Sequence, residues 1–153
     1  MAFYFFDTSA LVKRYVDEVG SPWVRSLSDP GAGNVTNVLS ISGVEAISAI
    51  TRRCRGGSLR VADAVLAISR LKSDLTAVFR VSQLATATIQ RAMDVAEKDG
   101  LRGYDAVQLA GALELADRAA SLGAILTLVS SDAELNVAAT AHRLAIEDPN
   151  AHP

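Results

Sequence analysis

Residues 1–21 read MAFYFFDTSALVKRYVDEVGS and contain the stretch that decides the fold. The aromatic residues 3–6 form a continuous apolar run that ends directly on Asp7. Strands that are buried on both faces of a parallel sheet have such uninterrupted apolar sequences. Two hydroxyl residues follow Asp7, and apolar residues at helical spacing then continue to residue 19. The stretch therefore predicts a central strand, a carboxylate at its carboxyl end, and a helix over 9–19.

The alternation of apolar strands and helices continues along the chain. Further strands are predicted over 34–39, 77–82, 124–131 and 144–148. Further helices are predicted over 21–28, 41–54, 58–75 (with Ser58 as its cap), 83–100, 104–121 and 132–144. Right-handed crossovers between such strands give a helix-rich α/β fold, with three layers around a mostly parallel sheet. No linker or repeat divides the chain, so we predict one domain over 1–153.

The composition excludes several classes of protein. The chain has 153 residues, one cysteine and a formal net charge of −2. One cysteine permits neither an internal disulfide nor a cysteine-based zinc site. No apolar run approaches the ~18 residues that a membrane span requires. The first residues lack the pattern of a signal peptide, so we expect a cytoplasmic protein with no membrane association.

Four acidic residues stand at positions typical of a functional site. Asp7 and Asp132 each follow a predicted strand, Asp105 lies at the start of a predicted helix, and Glu45 lies in the helix after the second strand. Ligands of open α/β sheets bind in the crevice beyond the carboxyl ends of the strands. The sequence therefore predicts that these carboxylates share one edge of the sheet.

Each of the three aspartates also fits a simpler role. Aspartate at a helix start accepts backbone N–H bonds and suits the helix dipole, so each one alone is explained as a cap. Glu45 is different, because it lies beside the apolar stripe of its helix, where an unpaired carboxylate is costly. Arg52 is on the same side of that helix but roughly 10 Å further along the axis. Glu45 is therefore expected to require a cation from elsewhere.

Four carboxylates in one crevice favour a metal ion. Like charges at close range raise each other's pKa, and a divalent cation relieves that repulsion. Ligand sets made only of oxygen favour Mg²⁺ or Mn²⁺ over zinc. We therefore expect a Mg²⁺ or Mn²⁺ site formed by the four acids.

The ordered motifs FFDTSALVKRYVDEVGS, SGVEAISAITRR, GLRGYDAVQLAGAL and LVSSDAEL resemble the PIN domain, and in particular the VapC-like ribonuclease toxins of type II toxin–antitoxin pairs. The resemblance extends over nearly the whole chain. It implies a PIN-like fold and a Mg²⁺-dependent endoribonuclease whose acids correspond to Asp7, Glu45, Asp105 and Asp132. Many relatives have histidine three residues after the third acid, where this chain has Gln108.

The resemblance also implies roles for individual residues. Asp7, Asp105 and Asp132 would be direct or water-mediated metal ligands, and Glu45 would be a ligand or would deprotonate the attacking water. Ser9 and Ser130 would hold carboxylates in place, although each could equally be a local cap. The basic residues Arg52, Arg53 and Arg55 are predicted to contact the RNA backbone, and a solvated helix face is the alternative.

The resemblance implies two protein partners, a small antitoxin and a second copy of the chain in a homodimer. The alternative is a PIN-like scaffold that binds RNA or protein without cutting. Two other enzyme classes fit less well. A haloacid-dehalogenase-type phosphatase needs a second aspartate at position 9, which is serine, and a response-regulator receiver needs an aspartate at the end of the mid-chain strand, which has none.

Overall fold

The structure is a computed structural model that describes residues 1–153. Five parallel strands form one sheet in the order β3-β2-β1-β4-β5. The strands are β1 (Phe3–Phe6), β2 (Val35–Leu39), β3 (Arg80–Ser82), β4 (Leu126–Val129) and β5 (Ala145–Glu147). All five predicted strands are confirmed, and the aromatic run forms the central one.

Seven α-helices connect and cover the strands. They are α1 (Thr8–Lys13), α2 (Ser21–Leu27), α3 (Ser40–Arg55), α4 (Val61–Ala77), α5 (Thr86–Asp99), α6 (Gly103–Ser121) and α7 (Ala133–Ala141). Short 3₁₀ turns lie at Pro30–Ala32 and Pro149–Ala151. None of the helices is both long enough and apolar enough to cross a bilayer.

Alternate side chains of the central strands divide the core into two halves. Phe5, Leu39 and Leu128 point to one face and pack with residues of α5, α6 and α7. Phe6 and Val129 point to the other face and pack with residues of α1, α3 and α4. Because neighbouring residues of a strand face opposite ways, a continuous apolar strand supplies both halves. The fold is the predicted three-layer sandwich.

The first helix is shorter than the sequence pattern predicts. It ends at Lys13 rather than near residue 19, although the apolar spacing continues. The Lys13 side chain is buried, and its ammonium group donates to the Val19 carbonyl at 2.8 Å and to Asn150 Oδ1 at 3.0 Å. The chain therefore turns back around this buried charge, and tertiary contacts override the local helical pattern.

The predicted start of the fourth helix is also wrong. Its cap residue is Arg60, with no side-chain cap bond, and the helix begins at Val61. Ser58 instead donates its hydroxyl to the Arg53 carbonyl at 3.2 Å, across the turn that follows α3. This turn contains two adjacent glycines, of which Gly56 caps α3 and Gly57 has a φ of 79°.

The strand order places a crevice between β1 and β4. From β1 the chain moves to β2 and β3 on one side, and it then returns to β4 on the other side. Such a reversal of strand order is where open α/β sheets bind ligands. Asp7 follows β1 directly, and Ser130 and Asp132 follow β4, so these three residues lie at the crevice.

Candidate metal centre

Asp7 is the most enclosed acid of the candidate site. It is only 4% exposed, and it caps α1 by accepting the Ala10 N–H on Oδ1 at 3.0 Å. The Ser9 hydroxyl donates to the same oxygen at 2.7 Å, and the Ser130 hydroxyl donates to Oδ2 at 3.1 Å. No lysine or arginine forms an ion pair with this carboxylate, so only neutral donors hold it.

The two serine hydroxyls are themselves fixed by the loop after β4. Ser9 Oγ accepts the Ser131 N–H at 2.8 Å, and Ser130 Oγ accepts the Asp132 N–H at 3.0 Å. Each hydroxyl therefore relays a backbone amide to one oxygen of Asp7. These hydrogen bonds join the ends of β1 and β4, and the role of Ser9 and Ser130 in holding a metal-binding carboxylate remains a prediction.

Burial raises the pKa of Asp7 from 3.8 to about 6, because water is removed from the charged form. The hydrogen bonds from Ala10, Ser9 and Ser130 oppose this shift, and the nearby charge of Asp132 adds to it. Three donors are thus insufficient to offset the desolvation of the carboxylate. A cation at Asp7 would supply the missing stabilisation.

Arg102 joins the other two aspartates. Its Nε donates to Asp105 Oδ2 at 2.8 Å, and its Nη2 donates to Asp132 Oδ2 at 2.9 Å. The Arg102 side chain is 72% exposed, whereas those of Asp105 and Asp132 are 18% and 24% exposed. Burial raises the pKa of Asp105, the bond from Arg102 lowers it, and the charge of Asp132 raises it again.

The capping interpretation holds for two of the three aspartates. Asp7 caps α1, and Asp132 caps α7 by accepting the Leu135 N–H at 3.0 Å. Asp105 is the third residue of α6 and caps nothing, since Arg102 occupies the cap position without a side-chain cap bond. Capping therefore leaves Asp105 unexplained.

Glu45 has only neutral hydrogen-bonding partners in the protein, and the cation that its position predicts remains a prediction. Its Oε2 accepts the Thr8 hydroxyl at 2.7 Å and the Gln108 side-chain amide at 2.7 Å. Gln108 is buried, and its Nε2 also lies 3.0 Å from Ser42 Oγ and 3.2 Å from Thr8 Oγ1. Glu45 Oε1 accepts no hydrogen bond from the protein and is available to a ligand.

The four acids are connected, but they do not form a compact cluster. Thr8 and Gln108 link Glu45 to the neighbourhoods of Asp7 and Asp105, and Arg102 links Asp105 to Asp132. No three acidic, histidine or cysteine side chains converge as a metal-binding group. The donor set still suits Mg²⁺ or Mn²⁺, because it contains only oxygen. Asp7 and Glu45 also lack any cationic partner.

The predicted RNA-contacting arginines lie away from these acids. Glu45 is in the second turn of α3 and Arg55 is its last residue, so the two are about 15 Å apart along the axis. Arg52 and Arg55 are exposed, whereas Arg53 forms an ion pair with Glu18. Their role as RNA contacts remains a prediction.

Arg102, Thr8 and Gln108 also belong to this site, although the sequence motifs did not predict them as site residues. The spacing of Arg102 and Asp105, three residues apart, is a local signal that could have been read. The bond from Arg102 to Asp132 spans 30 residues and has no such signal. Gln108 was noted only as a departure from the family pattern, yet a polar residue on a largely apolar helix face indicates a buried partner.

Comparisons with solved structures cover almost the whole chain. PAE2754 from Pyrobaculum aerophilum matches with a TM-score of 0.64 and 23% identity, over 98% of this chain and 91% of that one. FitAcB from Neisseria gonorrhoeae matches with a TM-score of 0.64 and 16% identity, over 96% and 98%. The chain has the PIN-like fold.

A third structure with this PIN-like fold is VapBC2 from Rickettsia felis, bound to a DNA fragment from their promoter. It matches with a TM-score of 0.59 and 14% identity, over 95% of this chain and 98% of that one. No family model matches the chain, and no curated protein matches it. At identities of 14–23%, these structures show the fold of the chain and not its catalytic activity.

Proposed function

We propose that the chain is a metal-dependent endoribonuclease, the toxin of a toxin–antitoxin pair. The observation that supports this proposal most strongly is the environment of Asp7. Asp7 is a buried carboxylate at the strand-order reversal of a PIN-like sheet, held by Ser9 and Ser130 and without a cationic partner. A buried carboxylate with a perturbed pKa in a crevice is typical of a functional site.

The four acids have two kinds of role in the proposed reaction, binding the cation and accepting a proton. A bound Mg²⁺ or Mn²⁺ would polarise the phosphate and lower the pKa of a water molecule. Asp7, Asp105 and Asp132 would hold the cation directly or through water. Glu45 keeps Oε1 free while Thr8 and Gln108 fix Oε2. That oxygen can therefore act as a ligand or accept a proton from the attacking water.

The test is cleavage of a panel of RNAs by the purified protein, with Mg²⁺, with Mn²⁺ and with excess chelator. We expect cleavage only with a metal, and we expect Glu45→Gln to reduce the rate by at least ~10²-fold. Asp29→Asn is the matched control, because Asp29 caps an exposed 3₁₀ turn. Cleavage that persists in chelator would contradict the metal mechanism.

A second candidate function is a PIN-like scaffold that binds RNA or protein without cutting. It is favoured by the absence of a converged group of three acids and by the ion pairs of Arg102 with Asp105 and Asp132, which offset one of their two negative charges. RNA binding without any metal-dependent product, in a protein that binds no Mn²⁺, would support the scaffold over the nuclease.

The proposed partners follow from the structural neighbours. FitAcB and VapBC2 are toxin–antitoxin complexes, which supports a small antitoxin as a partner of this chain. We also propose a homodimer, the oligomeric state that the sequence resemblance implied. Light scattering of the purified chain measures the oligomer. Co-purification with a candidate antitoxin from the same operon, and loss of cleavage in the complex, test the partner.

RNA is proposed to contact the exposed arginines at the end of α3. Replacing Arg52 and Arg55 with alanine should weaken RNA binding and reduce the slope of log affinity against log salt by about 2, because each phosphate contact releases roughly one counterion. Arg118→Ala, on α6, is the control for a general loss of charge. An unchanged slope would mean that Arg52 and Arg55 are only solvated.

A further inference from the structure

The positive charge of Arg102 divides the candidate site into two unequal halves. One half contains Asp105 and Asp132, each bonded to the same guanidinium. The other half contains Asp7 and Glu45, whose bonding partners are hydroxyl, amide and backbone groups without charge. Arg102 offsets one of the two negative charges in the first half, whereas no protein cation offsets either negative charge in the second half.

The free carboxylate oxygens show the same division. In the first half, Asp132 Oδ1 accepts the Leu135 N–H, and both Oδ2 atoms are bonded to Arg102, so Asp105 Oδ1 alone has no bond. In the second half, Glu45 Oε1 is free, and Asp7 Oδ2 has a single donor. A cation shared by Asp105 and Asp132 would therefore have to displace Arg102.

The backbone of Arg102 is fixed at the start of α6, whereas its side chain is largely exposed. Its backbone forms the cap of α6, directly after the buried Leu101 and the left-handed Gly100. Its side chain spans from the first turn of α6 to the loop after β4 and stays largely exposed. Guanidinium groups match carboxylate and phosphate oxygens through paired N–H donors, so this side chain suits a position between two acids.

We propose that Arg102 takes the place of a second cation, so that the site binds one divalent ion per chain, at Asp7 and the carboxylate oxygens that Arg102 leaves free. The inference rests on the proposed metal site, and it specifies how that site is charged. With one divalent ion and Arg102 in place, the four carboxylates keep one negative charge. The guanidinium then supplies the second positive centre that two-metal nucleases obtain from another ion.

The experiment counts bound Mn²⁺ on the metal-free full chain, without RNA, from the electron paramagnetic resonance signal of free Mn²⁺ during titration. We expect one Mn²⁺ per chain for the wild type. Arg102→Gln should bind a second, weaker Mn²⁺, because it frees the Asp105–Asp132 pair. Arg91→Gln removes an arginine that pairs with Asp117 at 2.7 Å on the α5–α6 surface, and it should still bind one.

Two ions bound by the wild type, or one ion bound by Arg102→Gln with unchanged affinity, would overturn the inference. Arg102→Ala gives a second measurement if the glutamine variant does not fold. The ion count tests this inference, and RNA cleavage tests the proposed function, so the two can fail separately. One ion for the wild type, two for Arg102→Gln and no cleavage of any RNA would retain the inference and refute the nuclease. Cleavage by a wild type that binds two ions would refute the inference and retain the nuclease.

Discussion

Replacing Asp7 with asparagine should make the metal-free protein more stable. Burial raises the pKa of Asp7 from 3.8 to about 6, so keeping the carboxylate ionised in the folded state costs about 3 kcal/mol above pH 6. Asparagine keeps the shape and removes the charge, but its amide nitrogen replaces one acceptor oxygen at a cost of about 1 kcal/mol. The net gain of about 2 kcal/mol corresponds to roughly 4–8 °C in Tm for a chain of this length.

The sign of the pH dependence follows from the raised pKa. The folded protein retains the Asp7 proton to higher pH than the unfolded chain does, so this residue lowers the free energy of unfolding as the pH rises from about 4 to about 6. Thermal melts in chelator should therefore show a large difference between Asp7→Asn and the wild type at pH 7.5. The difference should shrink as the pH falls and be lost near pH 3, where Asp7 is largely protonated in both states.

The control for this experiment is Asp29→Asn, because Asp29 is an exposed cap that accepts the Gly31 N–H. It should change Tm little and in the same way at both pH values. Mg²⁺ should raise the Tm of the wild type by binding the folded state, and it should raise that of Asp7→Asn less. A metal-free Asp7→Asn that melts below the wild type at pH 7.5 would show that Asp7 acts only as a helix cap.

Three other substitutions test features outside the charge of Asp7. Gln108→Leu should reduce cleavage roughly 10- to 100-fold in a steady-state RNA assay with the circular dichroism spectrum unchanged, because Glu45 loses an orienting donor; wild-type rates would refute this role. Arg143→Gly should raise the free energy of unfolding in urea by about 1 kcal/mol, since residue 143 is a non-glycine at φ 61°. Gly20→Ala should lower that free energy by more than about 2 kcal/mol, because its φ is +82° and a Cβ would lie 2.1 Å from the Pro149 carbonyl oxygen. An unchanged urea midpoint in either glycine-site variant would contradict the backbone argument.

The strands could be predicted because their signal is local. FYFF is a continuous apolar segment, and VTNVL and LTLV are short segments rich in Val, Leu and Thr. Strands of a sheet that is buried on both faces favour such residues. The end of α1 could not be predicted in this way. The helix ends at Lys13, whose ammonium group bonds to Val19 and to Asn150, and Asn150 is 137 residues away in the sequence.

The acids of the site could be found from sequence, whereas their partners could not. Asp7 and Asp132 each follow a strand, and Asp105 and Glu45 lie in the first and second turns of their helices, positions that are visible in a short window. The bond from Gln108 to Glu45 joins residues 63 apart, and the bond from Ser130 to Asp7 joins residues 123 apart. Such pairs depend on the strand order, and a single sequence contains no direct signal for that order.

The central position of β1 has a consequence for the chain during its synthesis. β1 leaves the ribosome first, yet it pairs on one side with β4, and the Ser130 hydroxyl that holds Asp7 follows it by 123 residues. At 5–20 residues per second, that separation corresponds to roughly 6 to 25 seconds of translation. During this interval the nascent chain contains Asp7 and Glu45 but lacks the loop that completes the crevice. A product truncated before residue 126 would contain three of the four acids and no assembled crevice, so the site forms only after β4 and the loop that follows it have been made.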